Sequence, residues 1–136
     1  MKVKLDEIID AIDFTDRESE YFLDKETGEV VYINLMVMTT DECDEAYDRL
    51  DEHGFYRLPT SFDIDDYGLM EAFISGLPKR PAELLSSAIR GRGAFSRFKD
   101  GVRRLGLEQA WYDFQDDAHK RMAIRWCQEN GIEYED

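Results

Sequence analysis

Cysteine, histidine and long apolar runs are all scarce in this chain of 136 residues, and each scarcity removes a class of answer. The two cysteines, Cys43 and Cys127, stand far apart, with no CxxC spacing and no histidine beside either. That speaks against a disulfide framework and for reduced thiols in a cytosol. The only histidines, His53 and His119, lie on different predicted elements with no partner at ligand spacing, so no metal site is expected. No stretch nears the roughly 18 uninterrupted apolar residues of a membrane span, and the charged start carries no signal-peptide pattern. The expectation is a cytoplasmic protein without a membrane anchor. Signatures of chemistry are missing as well: no GxxxxGK with a following Ser or Thr, no GxGxxG after a strand, and no GxSxG around Ser86, Ser87 or Ser96. No nucleophile stands out and no cofactor is expected.

Positive charge is also in the minority, with 17 Lys and Arg against 31 Asp and Glu for a net charge of -14. A field of that sign repels phosphate backbones and anionic membranes at long range. Within it one segment reverses the sign. Residues 79 to 104 carry eight cations, Lys79, Arg80, Arg90, Arg92, Arg97, Lys99, Arg103 and Arg104, against Glu83 and Asp100, a local balance of +6. Residues 1 to 78 come to -15. Contact with an anionic partner therefore has to be local to the basic segment.

The length suits one domain, residues 1 to 136, able to bury a core without staples, and an aromatic share of 12% is too rich for a disordered acidic tail. Leu5, Ile8, Ile9 and Ile12 repeat at helical spacing, predicting an amphipathic helix at the start. β-branched and aromatic runs on either side of Asp24-Lys25-Glu26-Thr27-Gly28 predict a hairpin over residues 20 to 37, with Gly28 at the turn. Its second strand is apolar on both sides, which predicts a covered, central strand. A short acidic helix from Thr40 to Leu50 follows, capped by Thr39 or Thr40 and ended by Gly54, then a third short strand closed by Pro59. One helix is predicted from Asp63 to Leu77 and stopped by Pro78, another with Pro81 at its first position, and another burying Phe95, Phe98, Val102 and Leu105. Leu107 to Asn130 reads as one helix or two, with a core stripe through Trp111, Phe114, Ala118, Met122 and Trp126, and Ile132 to Tyr134 as an edge strand. The fold class is α+β, a small antiparallel sheet early and helices late.

The basic stretch Arg90 to Lys99 is the best functional candidate. Gly91 and Gly93 free the backbone before a helix amino end, where N–H groups favour an anion that Arg92 or Arg97 could grip. The competing reading has these cations neutralised by carboxylates elsewhere in the fold, with the two glycines merely turning the chain. Trp111, Tyr112 and Phe114 could stack bases, but Trp111 and Phe114 fit the core stripe, leaving Tyr112 as the unexplained aromatic. Asp63, Asp65 and Asp66 read as helix-start caps, although a carboxylate site is an alternative. Asp24 to Glu29 resembles a calcium loop only superficially, because Gly28 falls at the fifth place and not the sixth.

The run Gly93-Ala94-Phe95-Ser96-Arg97-Phe98-Lys99-Asp100, with Trp111-Tyr112-Asp113-Phe114 and Asn130-Gly131-Ile132, resembles an uncharacterised family of small bacterial proteins of unknown function. With the hairpin counted, the likeness spans nearly the whole chain. It implies a cytoplasmic single-domain protein and transfers no catalytic residues. The leading expectation is a non-enzymatic binding or regulatory module that engages a phosphate-bearing ligand or an acidic protein through Arg90, Arg92, Arg97, Lys99, Arg103 and Arg104, with Tyr112 alongside. Nucleic acid is a less favoured partner, and nothing in the sequence sets an oligomeric state. One alternative is inhibition by mimicry, the acidic remainder imitating nucleic acid; another is an enzyme built on Asp63, Asp65 or Asp66.

Overall fold

A computed structural model describes residues 2–136, and in it the apolar periods of the sequence become two compact units. The first comprises the chain up to Ile64 together with His119–Asp136, and the second is Asp65–Ala118. Among the described residues no helix is long and apolar enough to cross a membrane.

The first unit opens with β1 (Lys2–Lys4) and α1 (Leu5–Phe14), whose buried side is Leu5, Ile8, Ala11 and Ile12. β2 (Ser19–Asp24) and β3 (Val30–Asn34) form the expected hairpin, with Phe22 opposite Val31, and Gly28 sits at φ 75°, a value that favours glycine. Thr39 and Glu42 close a capping box at the start of α2 (Thr40–His53), and Gly54 follows its end. β4 (Phe55–Arg57) pairs with the other side of β2, so the sheet order is β3-β2-β4 and the strand expected to be central, β3, is an edge. Its two-sided apolar character has another cause. Val31 and Ile33 pack with Phe22, Cys43 and Leu50 under α2, Val30 faces the core built on α1, and Leu35 to Val37 lie beyond the strand altogether.

α3 (Ser61–Ile64), the later part of α7 (Glu108–Glu129) and β5 (Glu133–Glu135) complete this unit. β5 pairs in parallel with β1, Val3 opposite Tyr134. Trp126 from α7 joins Leu5, Ile8, Leu23 and Leu58 in the core, and its indole N–H donates to the Arg57 carbonyl at 2.9 Å. Cys43 and Cys127 are both buried and unbonded, in different core clusters.

The second unit is helical: α4 (Asp66–Ser75), α5 (Lys79–Ala88), α6 (Ala94–Arg104) and the start of α7 surround Met70, Phe73, Leu85, Phe98, Val102 and Trp111. The helix expected over Asp63 to Leu77 is interrupted at Asp65, which takes φ 51° and turns its carboxylate onto the Gly68 N–H at 3.1 Å, capping α4. Pro81 stands third in α5, with Pro78 as the cap, a place in the first turn where a missing N–H costs nothing. Phe95, expected in the core, is exposed, and Ala94 takes the buried place beside Phe98 and Val102. The stretch expected as one helix or two, Leu107 to Asn130, holds the single helix α7 (Glu108–Glu129).

Candidate functional site

All eight cations of the basic segment lie in the helical unit, and all are exposed. α5 ends at Ala88, and Gly91 at φ 72° and Gly93 at φ 76° turn the chain into α6. Arg97, one turn into α6, reaches back to hold this turn. Its Nε donates to the Ala88 carbonyl at 2.7 Å, and its two terminal nitrogens donate to the carbonyls of Arg90 and Arg92. The Ala88 carbonyl is an orphan acceptor at the end of α5 and the other two belong to the loop, and one guanidinium satisfies all three. Three of its five donors are thereby taken by backbone; the planar fork expected to grip a ligand anion instead braces the loop.

The remaining cations do not converge. A groove of about 420 Å³ between α5 and α6 is floored by Leu84, Leu85, Ala88 and Leu105 and lined by Arg97 and Arg104, with Asp100 beside them. Its helices approach closely because residue 101 is glycine: a Cβ there would come within 2.7 Å of Leu85 Cδ2. Lys99 lies in a separate groove of about 170 Å³ with Tyr112, Phe95 and Gln115 above Phe98 and Trp111. Arg90 lines a third, beside Tyr67 and Glu71. Arg103 pairs with Glu108 at 3.2 Å. Arg92 stands on the loop, exposed. The structure thus brings Arg97 to Arg104 and Lys99 to Tyr112, and keeps these two pairs in different grooves. Among the described residues, Arg103 is the only one of the eight cations in an ion pair, so the segment is not consumed by the carboxylates of the fold.

The three aspartates set aside as caps act locally. Asp63 accepts from the N–H and hydroxyl of Thr60, each at 3.0 Å, Asp65 caps α4, and Asp66 lines the Lys99 groove. Among the described residues no group of three or more His, Cys, Asp or Glu could hold a metal ion.

One polar cluster was missed by sequence reasoning. Asp24, fully buried at the hairpin turn, accepts at Oδ1 from the N–H groups of Glu26 and Thr27 (2.8 and 3.1 Å), and at Oδ2 from Arg49 Nε and His53 Nδ1, both at 2.8 Å. Burial pushes its carboxyl up, but hydrogen bonds from His53, the Thr27 and Glu26 backbone, and Arg49 together outweigh that and hold it far below the ordinary carboxylate range. The bond to Asp24 in turn raises the His53 imidazole, against a smaller desolvation effect, with the charges of Asp24, Glu26 and Glu52 adding to the rise. The signal was present: Arg49 and His53 are four apart, one face of α2, and an Asp-x-x-Thr turn lies upstream. Two donors on each oxygen leave this carboxylate little capacity for a substrate, so the cluster serves to pin the hairpin to α2. The other histidine, His119, is buried and donates from Nδ1 to Asp13 at 2.6 Å, joining α7 to α1.

No curated protein and no solved structure matches the chain. A family model described as an uncharacterised protein family, UPF0158, matches residues 1–135. With that span covering all but the last residue, the chain belongs to the uncharacterised family UPF0158.

Proposed function

We propose that this chain is a non-enzymatic binding module of the cytoplasm whose α5–α6 groove takes an acidic, amphipathic segment of a protein partner. The observation that carries this reading is the pairing of a leucine floor with Arg104, which among the described residues makes no ion pair in a chain holding 31 Asp and Glu, beside the charge of the loop-bracing Arg97. An amphipathic helix laid in such a groove sets its apolar side on Leu84, Leu85, Ala88 and Leu105 and its carboxylates at Arg104. The apolar floor favours a peptide over a small phosphate, which would leave the leucines wet. The net charge of -14 disfavours a long nucleic acid.

The test is fluorescence anisotropy with a labelled synthetic peptide carrying Leu at helical i, i+3, i+4 and i+7 positions and Glu elsewhere. The wild type should bind it, and Leu84→Asp and Arg104→Ala should each weaken binding several-fold while circular dichroism stays unchanged, because both side chains are exposed. Absence of binding, or binding that survives both substitutions, refutes the reading.

A further inference from the structure

Immediately after β3 the chain does something unusual for a water-facing surface. Leu35, Met36 and Val37, three large apolar residues in a row, are 67%, 75% and 73% exposed. Runs of this kind are avoided on surfaces unless something covers them. The tip is also well anchored. Asn34, buried at the strand end, accepts the Met36 N–H on Oδ1 at 2.8 Å, and its carbonyl accepts from Met38 at 3.0 Å and Val37 at 3.3 Å. On the far side, Met38 packs against the core under α2, and Thr39 begins the capping box. A tip held at both ends has little conformational freedom left to lose when it docks.

The surroundings of the tip say what kind of pocket fits it. The first turns of α2 expose Asp41, Glu42, Asp44 and Glu45, so the complement is an apolar recess edged with cations. The chain itself carries such a recess: the α5–α6 groove, where Leu84 is 49% exposed and Arg104 is exposed and, among the described residues, in no ion pair, next to the charge of the loop-bracing Arg97. The charge balance agrees, with -15 over residues 1 to 78 and +6 over residues 79 to 104. We infer that the occupant of the groove is the Leu35-Met36-Val37 tip of a second copy of this chain. The inference rests on the groove reading given above and names its partner. Such a contact joins unlike surfaces, so each copy keeps a free tip and a free groove, and association proceeds to rings or short chains of copies. Three side chains in one groove make a small interface, and the assembly is accordingly weak and reversible.

Sedimentation velocity on the full chain, from micromolar to submillimolar concentration, tests this with Met36→Asp, which breaks the tip, and Leu84→Asp, which breaks the groove. Both positions are exposed, and circular dichroism checks each fold. The wild type should self-associate with rising concentration, and each variant alone should do so at least about tenfold more weakly, as loss of a central apolar anchor entails. An equimolar mixture of the two variants should recover association, but only to pairs, because an intact tip meets an intact groove once and the remaining surfaces are both broken. A tip-to-tip contact would instead be lost in Met36→Asp and kept in Leu84→Asp, which would overturn the proposal, as would a wild type that stays a single chain throughout. The acidic amphipathic peptide separates this failure from that of the groove itself. If the chain does not self-associate but binds the peptide through Leu84 and Arg104, only the second copy is ruled out; if it does neither, both readings fall.

Discussion

Asp24 concentrates more polar interaction than any other buried side chain described above, with four hydrogen bonds converging on a carboxylate that has no exposure. Removing it in Asp24→Ala leaves two backbone N–H groups without acceptors and takes away the main partner of His53. Hydrogen bonds to charged groups and broken buried pairs together put the cost at about 3 kcal/mol. Urea unfolding should show it as a lower midpoint with little change in slope. The same cluster sets a pH dependence whose sign follows from its two shifts. Asp24 is depressed, so its contribution is present above the ordinary carboxylate value of about 3.9 and is lost only as the pH falls through its much lower folded value. His53 is raised, so its contribution is complete below about 6.5 and is lost as the pH rises through its higher folded value. The thermal midpoint should therefore decline from about pH 6 to about pH 8, and in His53→Gln this decline should be reduced. Equal slopes in the two proteins would mean that the imidazole is not held by Asp24 in solution.

At the scale of elements, Gly101 governs how closely α5 and α6 approach. In a free helix, Ala for Gly gains about 1 kcal/mol of propensity. Here the added methyl would meet the buried Leu85 side chain at 2.7 Å, and overpacking of a core costs about 1–3 kcal/mol. The clash should win, so Gly101→Ala is expected to lower stability in urea and, by displacing Leu85, to weaken peptide binding in the groove that Leu85 floors. Much of the element plan was legible because it rests on local rules. The Leu5-Ile8-Ile12 period, Gly28 at the hairpin turn, and Thr39 with Gly54 around α2 each act within a few residues. What sequence reasoning missed depends on distant partners or on one backbone angle: the parallel pairing of β1 with β5, the edge position of β3, and the break at Asp65 between α3 and α4. The candidate site failed to stay together for a simpler reason. A cluster along the sequence is no cluster on a helix of 3.6 residues per turn, where Arg97 and Arg104, seven apart, share a side and Lys99 points elsewhere.

For the whole molecule the dominant quantity is the net charge of -14, and it acts on folding and docking with opposite signs. Self-repulsion among carboxylates opposes the compact state, and salt relieves it as the screening length shrinks from about 30 Å at 0.01 M to about 8 Å at 0.15 M. The thermal midpoint should rise over that range. Binding at the α5–α6 groove draws chiefly on Arg104 against carboxylates, an attraction that the same salt screens, so peptide affinity should fall as the protein becomes more stable. The opposition of signs is diagnostic. Adhesion through the apolar floor alone has no charge attraction to lose, and would hold steady or tighten with salt. Measuring the melting midpoint and peptide anisotropy in one salt series therefore separates a charge-directed groove from a merely sticky one. Midpoint up with affinity down supports Arg104 as the recognition group; both rising together would leave Leu84 and its neighbours as the only contacts and remove the reason to expect an acidic partner.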